Sequence, residues 1–351
     1  MVRPTYNWEL LAITRFFLAL IVMTGHLPHY TGVNFFKFYS FFGSLEAILG
    51  FLLVSGLSIG KSLQRNPQSY FKRRIQRIYP VYIASMALVY LTDPVPITGE
   101  LLVIWLINLL FLNQIITQTS YVGPAWTLAL EVWLYALAPW LNKLSFKQMK
   151  WVVCILFFTY CIHTVGRSIY GWHSYAGAKW GLNILFLAYV WVVGFALAKF
   201  EDQKSTIAKM IAAIFIITWV ITAGLQFVFR IKNNEVLEFV EKDLIKYVCR
   251  AVTLAAVYYI VIYSSRIPDP SIRVKKIFSF LGNISYPLYL THLTVIKTLA
   301  KYNVNNTLVM VLATLVVAVV IYLLFDFYSK RRKIVPAPIT ESNITVGKDT
   351  L

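Results

Sequence analysis

The sequence predicts an all-α fold, a polytopic bundle of transmembrane helices, and three observations carry that expectation. Of 351 residues, 58% are hydrophobic and only 14% charged, against about 45–50% and about 25% in soluble domains. Apolar runs near the length of a membrane span recur from one end of the chain to the other. No stretch between them is long enough, or polar enough, to form a second soluble domain. An ordinary cytosolic enzyme, a disordered chain and a secreted disulfide scaffold are excluded.

The runs fall at 10–28, 38–60, 78–92, 101–117, 123–142, 151–166, 180–198, 207–229, 247–264, 277–297 and 306–326. The first has no small-residue cleavage site and holds Arg15, His26 and His29. It reads as a retained helix rather than a leader. Cys154, Cys161 and Cys249 lie within apolar runs without metal-ligand spacing. They read as core thiols, and no metal is expected.

Charge sets the topology. The chain carries 33 Lys+Arg against 15 Asp+Glu, a net charge of +18. Most of the bases sit between apolar runs, where lipid topology explains them better than nucleic acid does, so no nucleic-acid partner is expected. The segment 61–77 contains Lys61, Arg65, Lys72, Arg73, Arg74 and Arg77 with no acid. The positive-inside rule makes it cytoplasmic, together with the N-terminus. The next connection, 93–100, has Asp93 and Glu100 and no base, so it faces out.

If every later run crosses, the basic segments at Lys143, Arg273 and Lys330-Arg331-Arg332-Lys333 fall outside, and the bases divide almost evenly between the two sides. If 101–117 instead dips in and returns, they gather inside. The expectation is therefore about ten crossings, one re-entrant or interfacial segment and both termini cytoplasmic. The transmembrane domain covers 1–333, and 334–351 reads as a disordered cytoplasmic tail. A half-helix of this kind is tolerated where its free backbone groups find protein or water partners.

An ionisable residue inside a membrane helix costs about 2.5–3.5 kcal/mol on insertion scales, so each needs a reason. The candidates are Arg15, His26, Glu46, Glu131, Arg250 and His292. Arg15 and His26 are eleven residues apart, three turns plus about 20°, which puts both on one side of a helix and about 16 Å apart along it. That pattern suits a polar tunnel. The bland alternative is a snorkelling Arg15 and a His26 bonded to a backbone carbonyl. Arg74 and Arg77, at i and i+3, share a helix face and can grip phosphates. Lys61 and Arg65 read as a topology signal in contact with anionic lipid. Glu131 is the only charge between Glu100 and Lys143. It can orient a histidine, bind an arginine or form a structural ion pair with Arg250. His163 and His173 have no pattern around them and read as structural.

Five segments in order resemble the acyltransferase-3 family of membrane O-acyltransferases. They are Arg15-x10-His26; Ser55-Gly56-Leu57; Arg74-x-x-Arg77-Ile78-x-Pro80; Trp126-Thr127-Leu128-x-x-Glu131; and Ile284-Ser285-Tyr286-x-x-Tyr289-Leu290-x-His292. The resemblance spans about 15–330, and ten crossings agree with the family's core. Three positions depart from the family pattern: Thr127 replaces the usual serine, Leu57 the usual phenylalanine, and Asp326 lacks an adjacent proline. The last weakens any role for the C-terminal acid.

The resemblance implies transfer of an acyl group, most often acetyl, from cytoplasmic acyl-CoA to a hydroxyl of a carbohydrate or lipid-linked glycan of the cell envelope, in a bacterial inner membrane. His26 is then the general base or transient acyl carrier, and Arg15 positions coenzyme A or the thioester. Arg74 and Arg77 bind phosphates, and Glu131 orients its neighbours. Ser55, Trp126, Thr127 and His292 contact the acceptor or support the groups that do. The chemistry agrees: a neutral imidazole suits a general base, and thioester attack creates an oxyanion that needs a cationic or dipolar partner. The competing reading is a transporter or flippase for polysaccharide or lipid-linked sugar lined by the same polar residues. The chain shows no internal symmetry of the kind such a protein would be expected to have.

Overall fold

The computed structural model describes residues 6–31, 36–117, 120–178 and 180–327. The tail 334–351 and the basic run at Lys330–Lys333 lie outside the described residues. Within them the chain is all helical, 82% helix with no strand.

The eleven longer helices are α1 (Trp8–His26), α2 (Ser44–Arg65), α3 (Tyr70–Thr92), α4 (Gly99–Leu109), α5 (Ala125–Leu141), α6 (Phe146–Tyr170), α7 (Leu182–Lys199), α8 (Lys204–Lys232), α9 (Leu244–Tyr263), α10 (Ile272–Lys301) and α11 (Thr307–Ile321). Seven of them, α1, α2, α6, α7, α8, α9 and α11, are long and apolar enough to cross a membrane by length and composition. The chain is an integral membrane protein. Helices α3 and α10, of 23 and 30 residues, are long enough but less apolar, and α5 has only 17 residues. Seven is therefore fewer than the ten crossings expected from loop charge.

Local chemistry sets the ends. The Asn7 side chain accepts a hydrogen bond from the Leu10 amide at 3.0 Å and caps α1, with Glu9 in the first turn. Ser145 and Gln148 form a reciprocal capping box at the start of α6. Two boundaries differ from the apolar pattern. The run 38–60 is broken, because Gly43 takes φ +83° and separates a single turn at Lys37–Ser40 from α2. Helix α3 begins eight residues before its apolar run, since the Lys, Arg and Gln side chains of 72–77 are good helix formers.

Segment 101–117 does not continue as a helix beyond Leu109. Helix α4 has 11 residues, about 16 Å against a hydrocarbon core of about 30 Å. Its freed carbonyls are satisfied by protein. Tyr79 Oη donates to the Leu109 carbonyl at 2.9 Å, Tyr82 Oη to that of Asn108 at 3.2 Å, and Trp133 Nε1 to that of Phe111 at 3.0 Å. The fully buried Gln114 accepts from Asn183 Nδ2 at 3.1 Å. Non-helical backbone at this position is thus enclosed by neighbouring side chains.

Three helices run in parallel register around the site. Tyr286 donates to the Ile78 carbonyl at 3.1 Å, and 15 residues further along both helices Lys301 pairs with Asp93 at 2.7 Å. This fixes α3 alongside α10. At the contact of α1 with α10, a Cβ on Gly282 would collide with Ala12. The tightest crossing joins α2 to α7. A Cβ on Gly56 would overlap the Trp191 carbonyl, and one on Gly194 would overlap that of Leu53. Gly56 and Gly60 form the small-xxx-small spacing that lets membrane helices approach backbone to backbone.

The three cysteines are free. Cys249 is buried and Cys161 half-buried, but Cys154 is exposed on the outer face of α6. The expectation of a core thiol fails at Cys154, because an apolar run marks lipid-facing positions as readily as core positions.

Candidate active site

Helices α1, α2, α3, α5 and α10 enclose a cavity with about 900 Å³ of empty space, counting its open mouth. Arg15, Ser55, Arg74, Arg77, Thr127 and Glu131 all line it. These residues come from four helices spread over more than a hundred positions of sequence. The cavity also takes in Tyr135, Ser285, Tyr286 and Tyr289.

Spacing on each helix explains the arrangement. Arg74 and Arg77 share a face of α3, and Thr127, Glu131 and Tyr135 follow one another at i+4 along α5. Ser55 precedes the close α2–α7 crossing at Gly56, which holds its hydroxyl in place. Trp191 Nε1 donates to Ser55 Oγ at 3.3 Å, and Ser55 Oγ lies 3.2 Å from Tyr135 Oη. Tyr135 in turn donates a short hydrogen bond to Glu131. Glu131 is therefore anchored on its own helix. It does not pair with Arg250, which faces the buried Glu46 at 3.9 Å, so the ion pair considered for Glu131 is made by a different acid.

The charge in the cavity is unbalanced. Arg15 lies within electrostatic range of Arg74, Arg77, Glu131 and Tyr135. Three guanidinium groups face one carboxylate. None of the three forms an ion pair among the described residues. Arg74 donates to Ser62 Oγ at 3.1 Å, while the Nε groups of Arg15 and Arg74 are buried without a partner there. Buried cationic donors left open in this way favour an anionic ligand with several acceptor oxygens.

His26, Trp126 and His292 do not line this cavity. The tunnel expected from Arg15 to His26 is not one cavity: the cavity lined by Arg15 includes Thr127 and Tyr289, whose hydroxyls meet at 2.7 Å, but not His26. Trp126 is half-buried and packs on the hydrophobic core. One turn beyond Tyr289, His292 is fully buried, and its ring lies 5.3 Å from that of His26. Sequence separation had hidden this pair. Its Nδ1 lies 2.8 Å from the Tyr289 carbonyl and 3.3 Å from that of Leu288. A carbonyl only accepts, so Nδ1 carries the proton, and in the neutral ring Nε2 is a lone pair. Nε2 has no partner among the described residues.

Tyr135 was not singled out from sequence, and Tyr286 and Tyr289 stood in the family-like segment before His292 without an assigned role. Tyr135 could have been found as the i+4 neighbour of a buried acid. Tyr286 and Tyr289 belong to a segment in which Tyr is too frequent to signal a site. His163 is buried and stacks on Phe186 at 3.9 Å, and His173 is exposed. Neither approaches the cavity.

The family profile described as an acyltransferase domain, acyltransferase-3, matches residues 10–326. A protein of Acidianus two-tailed virus named "Putative acetyltransferase ORF330" is 24% identical over 252 residues, covering 69% of this chain and 68% of its own. No solved structure matches the chain.

Proposed function

Because the chain belongs to the acyltransferase-3 family, and is an acyltransferase, we propose that it moves an acyl group from cytoplasmic acyl-CoA to a hydroxyl of a carbohydrate or glycoconjugate. The observation that carries the donor is the cavity with three guanidinium groups and one carboxylate. A diphosphate linked to a long neutral arm suits a net positive, narrow and partly apolar cavity. Acetyl is the acyl group that the relative's name suggests.

In this reading Arg74 and Arg77 grip the diphosphate of coenzyme A. Arg15, on α1 beside them, faces the thioester carbonyl and stabilises the oxyanion that forms there. The Thr127–Tyr289 pair lies ahead of the thioester and parts to admit the acceptor hydroxyl, which approaches from the His26 side. His26 removes the hydroxyl proton as the oxygen attacks the carbonyl carbon. The C–S bond then breaks, and the coenzyme A thiolate leaves and takes up a proton. His292, held with Nδ1–H on the Tyr289 carbonyl, offers Nε2 as a second basic nitrogen beside His26. Glu131 holds Tyr135 and offsets part of the arginine charge.

The orientation belongs to the same reading. Helices α3, α5 and α10 cross with the seven more apolar ones, which gives ten crossings, and α4 dips in and returns. The Arg74 end then faces the cytoplasm and the Lys301–Asp93 end faces out, in a bacterial inner membrane. The reaction is tested by incubating purified protein in nanodiscs with labelled acetyl-CoA and a panel of envelope glycans. The expected result is a labelled ester that hydroxylamine cleaves and that Arg15→Ala abolishes. Label transfer unaffected by Arg15→Ala would reject the assignment of this cavity.

A further inference from the structure

A second cavity adjoins the first at the end of α2, near the starts of α1 and α3. Trp8, Lys61, Arg65 and Arg73 line it, and Ser58 and Arg74 line both cavities. It holds about 840 Å³ of empty space, counting its mouth. Ser55, Ser58 and Ser62 are spaced three and four apart, so one hydroxyl-bearing face of α2 runs from the first cavity into the second. The seven steps from Ser55 to Ser62 cover about 10 Å.

The cations around this cavity are not equivalent. Arg73 is fixed by bonds from Nη2 to the Ser62 and Asn66 carbonyls at 3.1 and 2.6 Å. Lys61 is paired with Glu201. Arg65 is exposed and makes no hydrogen bond or ion pair among the described residues. Beside them Trp8 presents an indole that is 37% exposed. An unpaired guanidinium that lines the same cavity as a partly exposed indole suits a phosphate carried on an aromatic base. Topology alone explains the charges but gives no reason for a cavity or for its continuity with the first.

We propose that this second cavity binds the 3′-phosphoadenosine end of acyl-CoA. Trp8 stacks on the adenine, Arg65 takes the 3′-phosphate, and the diphosphate and pantetheine arm follow the serine face of α2 past Arg74 into the first cavity. The proposal rests on acyl-CoA being the donor. An anionic lipid headgroup offers the same phosphate chemistry but has no base to place on Trp8.

Binding of acetyl-CoA and of 3′-dephospho-acetyl-CoA separates these possibilities. It is measured in nanodiscs of phosphatidylcholine, with and without phosphatidylglycerol. Wild-type protein should favour acetyl-CoA about tenfold, the value of one charge-assisted contact. Arg65→Ala should abolish that preference and Arg65→Lys should restore part of it. Trp8→Ala should weaken both ligands alike, by roughly tenfold, in either membrane. Equal wild-type affinity for the two ligands would overturn the subsite, as would an Arg65→Ala effect seen only with phosphatidylglycerol. If binding needs Arg74 and Arg77 but ignores the 3′-phosphate, only the subsite fails. If wild-type protein binds neither ligand, the donor reading fails with it.

Discussion

The imidazoles of His26 on α1 and His292 on α10 face each other 5.3 Å apart, with ring planes inclined at 33°. Parallel packing of the two helices produces the pair, and the Tyr289 carbonyl fixes the tautomer of His292. Both rings are therefore expected to matter for turnover. His26→Ala should lower acyl transfer by about 10²–10⁴-fold, the usual value of a general base, with donor binding kept. His292→Asn is the sharper variant, because its amide can still donate to the Tyr289 carbonyl while the Nε2 lone pair is lost. Transfer assays on the two variants decide the matter: a fully active His292→Asn would reduce His292 to a packing residue, and an active His26→Ala would reject the base.

Arg74 and Arg77 should act on donor affinity. Charge-assisted hydrogen bonds contribute about 1.5–3 kcal/mol each, so the double alanine variant should weaken acetyl-CoA binding by more than tenfold. Isothermal titration on purified protein would show it. Unchanged affinity would return both arginines to a purely topological role.

Orientation can be read from single cysteines in a background lacking Cys154, Cys161 and Cys249. A cysteine at Asn66 should react with an impermeant maleimide only after the membrane is opened. One at Asn303, next to the Lys301–Asp93 ion pair, should react in intact cells. The same accessibility at both sites would contradict the parallel course of α3 and α10 across the membrane.

The α2–α7 crossing should tolerate no side chain at Gly56, because the neighbouring atom is backbone. Gly56→Ala should destabilise the protein by about 1–3 kcal/mol, as overpacking does. The apparent melting temperature in detergent should fall, and Gly56→Leu should prevent folding. Gly224→Ala is the matched control, since nothing lies near its Cβ position, and it should melt like wild type.

Length, composition and apolar periodicity were enough to determine a helical membrane protein, because partition into lipid depends on segment averages. They also placed Arg15 and Glu131 as buried charges in need of partners, because insertion cost is a property of the single segment. Arg74 and Arg77 were put on one helix face by their spacing, and the interruption in 101–117 followed from loop charge. Which charges meet was decided only by packing. Arg250 pairs with Glu46, Glu131 is held by Tyr135, and His292 stands beside His26 although 266 positions separate them. The helices that build the cavity include α3, α5 and α10, which fall outside the seven clear spans. The polar side chains that form a site lower the apolar signal of the helices carrying them, and a contact between helices leaves no trace in the periodicity of either one.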